Sequence, residues 1–180
     1  YWCEMTDPFS VKEAVLKADP DVIFHLAAQS FVPLSWKAPQ LTFETNVGGT
    51  INVLEAAREL DTDPTVLITS SSQVYGNAPL PFSMETVPNP VSPYDVSKLS
   101  QELVGKSYFK SYGVKVITTR AFNITGPRRQ EFMSESNFAK QIAECEKGLR
   151  EEVCVGNLEA TREFIEVTDA AKAYAGAVNY

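Results

Sequence analysis

Three apolar runs, "DVIFHLAA", "PTVLITSSS" and "YGVKVITTRAFN", recur along the chain, with stretches of helical apolar spacing before and between them. That alternation limits the fold more than any other feature. Short runs rich in β-branched residues read as buried strands, and helices of crossover length between them join strands in parallel. The spacing predicts a helix over residues 10–18, "SVKEAVLKA", ahead of the first strand. In "APQLTFETNVGGTINVLEAARELD" the apolar positions Phe43, Val47, Ile51, Leu54 and Ala57 predict one long helix despite Gly48 and Gly49. Glycines inside a helix weaken it and usually admit another element at close range. A further helix opens at Tyr94 and leads into the third run. After Pro127 the pattern loosens: "SESNFAKQIAECEKGL" predicts an amphipathic helix, "EVCVGN" a short strand, and "TDAAKAYAGAV" a helix capped by Thr168.

In a parallel α/β sheet the ligand lies outside the carboxyl ends of the strands. The chemically richest segments, "HLAAQS", "TSSSQVYG" and "RAFNITGP", all fall at those ends.

Composition narrows the partners. The 180 residues are 44% hydrophobic and 22% charged, enough for a substantial core and against disorder. Sixteen basic residues face 23 acidic ones, a net charge of -7 with no Lys/Arg block to follow a phosphate backbone, so nucleic acid is not an expected partner. No apolar run approaches the roughly 20 residues that cross a bilayer. The opening "YWCEMTDPFS" lacks the basic region and apolar core of a signal peptide, so the expected location is cytoplasmic with no membrane partner. Cys3, Cys145 and Cys154 show neither CxxC nor ligand spacing and read as reduced, mostly packed thiols. His25, the one histidine, lies in an apolar strand and reads as a satisfied core side chain, and no metal site is expected. Trp2 and Trp36 are expected to pack against the fold. Arg128 and Arg129 read either as a solvated loop pair or as phosphate contacts.

Tyr94 and Lys98, in "SPYDVSK", stand four apart on one helix face. An ammonium near a phenol favours the phenolate, and a tyrosine so tuned exchanges a proton with a hydroxyl or carbonyl oxygen. Taken alone the pair reads first as a surface pair on a helix, because chance produces this spacing often. The serines at 70–72 alter that balance, because a hydroxyl at a strand end can hold the same oxygen, although serines also cap turns.

"DVIFHLAAQS", "ETNVGGTINVLEAA", "TSSSQVYG", "SPYDVSK" and "RAFNITGP", in this order and spacing, resemble the extended short-chain dehydrogenase/reductases that modify nucleotide sugars. "FAKQIAECEKG" followed by "VGNLEATREF" is most similar to the GDP-sugar branch, the GDP-mannose 4,6-dehydratases and GDP-4-keto-6-deoxymannose reductases. The resemblance implies a doubly wound, Rossmann-like parallel sheet. It also implies that the first glycine-rich βα unit is lacking, and that residues 1–127 form a partial dinucleotide-binding domain and 128–180 the start of a substrate-binding region.

It further implies NAD or NADP as cofactor, a GDP-sugar as substrate and a homodimer paired through helices that include the Tyr-x-x-x-Lys one. Tyr94 would be the acid/base, Lys98 would lower its pKa and hold the nicotinamide ribose, and Ser71 would orient the sugar oxygen. Ala27 and Ala28 would pass the cofactor's ribose and diphosphate, with Gln29 beside them. Glu4 and Met5 would lie by the adenine, and Asn46 would stand near the active site on the cofactor side. Ser30, Ser72, Gln73, Asn123 and Arg162 would meet substrate, Arg162 gripping its diphosphate as a bidentate donor. Gln73 departs from the dehydratases, which carry a glutamate there as base. An amide accepts no proton at neutral pH, so a reductase or epimerase is expected ahead of a dehydratase. A non-catalytic nucleotide-binding fragment is the reading from another class.

Overall fold

A computed structural model of the chain describes residues 2–179. Asp7 starts the first helix: its carboxylate accepts the Phe9 N–H at 3.0 Å and Pro8 fills the first position, so α1 runs Pro8–Ala18. Asp19 ends it in the left-handed conformation at φ 41°, its N–H closing on the Val15 carbonyl. Strand β1 (Val22–His25) follows, then the short helices α2 (Val32–Lys37) and α3 (Pro39–Phe43). The expected long helix is right-handed throughout but not regular. It is split by a π-helical turn over Glu44–Gly48 before α4, Gly49–Arg58. Such turns inside helices occur frequently at functional sites, and this one carries Asn46. A Cβ on Gly49 would come within 3.3 Å of the Met5 side chain, so close approach accounts for that glycine; Gly48 has no such neighbour.

Strands β2 (Thr65–Thr69) and β3 (Val116–Thr119) complete a parallel sheet in the order β1-β2-β3. Its register pairs His25 with Ile68 and Thr69 with Thr119, which brings the carboxyl ends level. Helix α5 (Pro93–Tyr112) makes the crossover from β2 to β3. Its start is fixed by a capping box: Ser92 Oγ accepts the Asp95 N–H at 3.1 Å, and Asp95 Oδ2 accepts the Ser92 N–H at 2.9 Å. Gly113, at φ 77°, ends it. The core gathers Val11, Val53, Leu54, Ala57, Val66, Ile68 and Val114 between the sheet and the helices. Each buried valine, leucine or isoleucine there contributes about 1.5–3 kcal/mol by leaving water.

The described chain divides into two compact units, one reaching to Ala121 and including residues from Tyr174 on, the other Phe122–Ala173. The second unit holds β4 (Asn123–Thr125) paired in parallel with β5 (Phe164–Glu166), helix α6 (Ser134–Glu146) and most of α7 (Val167–Val178).

Several expectations are corrected. The third apolar run is not one strand: β3 stops at Thr119, and Asn123 begins β4 in another sheet. "EVCVGN" is irregular, because the Gln141 side chain takes the place of a strand partner. Its Oε1 accepts the Cys154 N–H at 2.7 Å and its Nε2 donates to the Cys154 carbonyl at 3.1 Å. Helix α7 begins at Val167, and Glu166 caps it by accepting the Thr168 N–H at 2.7 Å. Trp2 and Trp36 are exposed rather than packed. Cys154 is exposed while Cys3 and Cys145 are half-buried, and all three are free thiols. Arg129 is tied down by the Ile124 carbonyl and the Glu135 carboxylate, whereas Arg128 is exposed in a left-handed turn.

Candidate active site

The carboxyl end of β2 opens into the serines. Ser70 N–H reaches back to the Thr119 carbonyl at 2.7 Å and Ser72 N–H to the Ala121 carbonyl at 2.9 Å, so the segment stays beside β3 as the strand ends. Ser71 then caps a 3₁₀ turn over Ser72–Tyr75, its Oγ accepting the Gln73 N–H at 3.2 Å. Ser71 also lies close enough to the Tyr94 phenol to act on its protonation, favouring the phenolate. Tyr94 is 8% exposed.

Lys98 lies one helical turn beyond Tyr94 and is buried. Its Nζ donates to the Thr69 carbonyl at 2.8 Å, pinning α5 to the end of β2, and stands 5.9 Å from the centre of the Tyr94 ring. Burial lowers the Lys98 ammonium to about 8. The phenol moves opposite to expectation: burial pushes Tyr94 above its ordinary value, with Ser71 opposing the rise. The expected lowering by Lys98 is not found: loss of water around the phenolate dominates, and the nearby Asp95 adds to the rise.

Behind this centre Asn46 is fully buried with its side chain saturated. Its Oδ1 accepts the Gln29 N–H at 2.7 Å, and its Nδ2 donates to the Gln29 carbonyl at 3.1 Å and to Ser97 Oγ at 2.9 Å. Ser97 Oγ in turn donates to the Tyr94 carbonyl at 2.7 Å. The Gln29 side chain is spent on its own loop and on α3, accepting from Phe31 N–H and donating to Thr42 Oγ1. Asn46 and Gln29 thus hold the segment after β1 to α5. Ala27 and Ser30 on that segment are exposed, and Ala28 is half-buried.

Met5 packs against the core and Gly49, and its carbonyl accepts from Asn52 at 2.8 Å; Glu4 is exposed and its carboxylate takes the Thr6 N–H and hydroxyl. Ser72 is half-buried and Gln73 exposed on the 3₁₀ turn. In the second unit Asn123 Nδ2 donates to the Glu163 carbonyl at 3.0 Å, beside the Asn123–Phe164 pairing that brings Arg162 near. Arg162 is exposed, its Nη1 donating to the carbonyl of its own neighbour Thr161.

Sequence reading did not single out Ser97, Thr50, Gln101 or Arg120. Ser97 had a usable signal, since a serine three residues after Tyr94 on a helix can bond back to its carbonyl. Arg120, just past β3, grips Glu102 of α5 through two nitrogens at 2.7–3.2 Å and lies 4.9 Å over the Tyr75 ring, which couples α5 to the 3₁₀ turn. His25 is buried, its Nε2 3.0 Å from Thr50 Oγ1. Desolvation, with the Lys98 charge adding, lowers it from 6.5 to about 4 and keeps the ring neutral at neutral pH. Among the described residues no cluster of three or more His, Cys, Asp or Glu side chains that could hold a metal is found, and no helix is long and apolar enough to cross a membrane.

Residues 1–179 match the family model described as GDP-mannose 4,6 dehydratase. The chain is 36% identical over 159 residues to the GDP-6-deoxy-D-mannose reductase of Pseudomonas aeruginosa, covering 86% of this chain and 52% of that protein. It is also 36% identical over 172 residues to a GDP-mannose 4,6-dehydratase of Sordaria araneosa, covering 94% of this chain and 32% of the relative. The chain therefore spans about half, or less, of the length of these curated relatives. Among solved structures, RMD from Pseudomonas aeruginosa complexed with NADPH superposes with a TM-score of 0.94 at 32% identity, over 100% of this chain and 62% of that one. The UDP-glucose 4-epimerase of Thermus thermophilus in complex with NAD gives 0.84 at 30% identity, over 97% and 58%. The parallel sheet agrees with these matches, and the chain belongs to the GDP-mannose 4,6-dehydratase family of extended short-chain dehydrogenase/reductases.

Proposed function

We propose that the chain carries the proton-handling centre of an NAD(P)-dependent nucleotide-sugar reductase acting at C4 of a 4-keto hexose, in the manner of a GDP-4-keto-6-deoxymannose reductase. The observation that carries this reading is the gathering of Ser71 and the buried Tyr94 at the end of β2, with Lys98 anchored to the Thr69 carbonyl one turn further on.

The residues present fit a nicotinamide nucleotide. The Lys98 ammonium spends one N–H on the Thr69 carbonyl and keeps two donors for ribose hydroxyls. Beyond β1 the small side chains of Ala27 and Ala28 leave the backbone open to a ribose and diphosphate. When bound, the nicotinamide supplies the hydride that reaches C4. Tyr94 gives its proton to the carbonyl oxygen, and Ser71 holds that oxygen in line with the phenol. Burial favours the protonated phenol, the form that donates. The Lys98 cation then offsets the phenolate left behind. Asn46 and Gln29 act by holding the strand-end segment.

Gln73 favours reduction over dehydration, since an amide cannot remove the proton that elimination across C5 and C6 requires. The dehydratase reading is kept because the matching family model and the Sordaria araneosa relative bear that name. Asn123 and Arg162 are proposed for the substrate diphosphate, Ser30, Ser72 and Gln73 for the sugar side, and Glu4 and Met5 for the adenine side. The division proposed is 1–127 for cofactor and 128–180 for substrate, in a cytoplasmic homodimer. Exposure of Leu103 and Phe109 on α5, 58% each, supports pairing through that helix. Mass spectrometry of products from GDP-mannose and from GDP-4-keto-6-deoxymannose tests the reaction. Gain of two hydrogens by the keto sugar supports the reductase, and loss of water from GDP-mannose overturns it in favour of the dehydratase.

A further inference from the structure

Helix α4, with the π turn that precedes it, is tied to α5 by two polar rungs one helical turn apart. Asn46 meets Ser97, and four residues on along both helices Thr50 meets Gln101, with Gln101 Nε2 2.5 Å from Thr50 Oγ1. All four side chains are buried. Neither rung is explained by core packing alone, because each buries polar atoms that stay favourable only while every partner is in place.

The second rung can be counted out proton by proton. Thr50 Oγ1 lies within hydrogen-bond distance of three groups: the Asn46 carbonyl at 2.6 Å, Gln101 Nε2 and His25 Nε2 at 3.0 Å. A hydroxyl has one proton and two lone pairs. The carbonyl only accepts, so it takes the proton. Gln101 turned the other way would set a second acceptor against that single proton, so its amide donates. The remaining lone pair is then filled by a proton on His25 Nε2. Thr50 is therefore a node fed from β1 and from α5, and its output goes to the backbone of Asn46, whose side chain donates to Ser97, which in turn donates to the Tyr94 carbonyl.

We propose that Thr50 is a positioning residue for the Tyr94–Ser71 centre: its hydroxyl, ordered by His25 and Gln101, donates to the Asn46 carbonyl, fixes the Asn46 side chain and through Ser97 sets the start of α5. The proposal rests on reading Tyr94 as the acid of the reaction. Its consequence is that loss of the Thr50 hydroxyl misplaces the phenol without touching any group that meets substrate or cofactor.

His25 is the single histidine of the chain, so its ring nitrogens are identified in a long-range ¹H–¹⁵N spectrum without assignment by mutation. At neutral pH the spectrum is expected to show the proton on Nε2; a ring protonated on Nδ1 overturns the ordering. In Thr50→Val the Asn46 side-chain amide is expected to lose its protection from hydrogen exchange and kcat to fall about tenfold with KM within about twofold. Thr50→Ser restores both. Wild-type kcat in Thr50→Val, or a Thr50→Ser protein as impaired as the valine variant, overturns the proposal. Should Thr50→Val fail to fold, Ser97→Ala breaks the other rung. It is expected to lower kcat similarly while His25 keeps its wild-type spectrum, and undiminished turnover there is equally fatal. If the unsubstituted protein turns over no keto-sugar nucleotide, the reaction assigned above fails, and the tautomer and the Asn46 protection still decide the network.

Discussion

The two strand ends of the molecule are built differently. Around Tyr94 the end of β2 is buried and its polar groups are shared out among Ser71, Thr69, Asn46, Ser97 and Lys98. Around Asn123 the end of the β4–β5 pair is open: among the described residues from 122 to 173 only Gln141 and Ala170 are buried, and Arg162 bonds the carbonyl next to it in sequence. A group proposed to move a proton to one oxygen needs its position fixed in advance, because misplacement costs rate directly. A group proposed to meet a phosphate through a long charged side chain needs reach and hydration, and ordering can come with the ligand. The difference thus separates a prebuilt centre from residues free to adapt.

The sharpest break of that comparison is at Tyr94. Tyr94→Phe keeps the ring and removes the proton, and turnover of the keto-sugar nucleotide is expected to fall about 10²–10⁴-fold; a steady-state assay with undiminished kcat would sink the mechanism. Next is acid stability. Folded His25 titrates near 4 against 6.5 for the free side chain, so as pH falls the unfolded chain takes the proton first. Stability is fully present above 6.5 and drains away down to 4, by about 3 kcal/mol in total. Denaturant midpoints measured across that window, with His25→Gln as reference, should show the slope in the wild type alone.

A smaller effect is expected in the open unit. Arg162→Ala should raise KM for the nucleotide sugar about tenfold with kcat within about twofold, the mark of lost uniform binding. A kcat loss as large as that of Tyr94→Phe would erase the distinction between the two regions. Amide exchange extends the contrast to dynamics: Leu67 and Ile68 in β2 should exchange only through global opening, while β4 and β5 amides should exchange faster. The smallest expected change is at the surface pair Lys12–Glu59, about 45% exposed on each side, where Lys12→Met should move stability by about 0–1 kcal/mol.

Sequence by itself determined the parallel α/β order, the gathering of polar segments at strand ends and the placing of Tyr94 and Lys98 one turn apart on a helix. These rest on local periodicity and on the fixed geometry of residues four apart on a helix, both of which are written in a single stretch of chain. The family resemblance was legible for the same reason, since its motifs are contiguous. Only the tertiary structure decided what each polar side chain does once buried. Asn46 is saturated by Gln29 and Ser97 because three distant segments converge on it. The Tyr94 phenol is raised rather than lowered because burial, a property of the whole packing, outweighs the Ser71 contribution that favours the phenolate. The "EVCVGN" segment is no strand because a glutamine from α6 satisfies its backbone. Spacing tells which groups can meet, and desolvation and competition among partners, which depend on every neighbour at once, tell which state they take when they do.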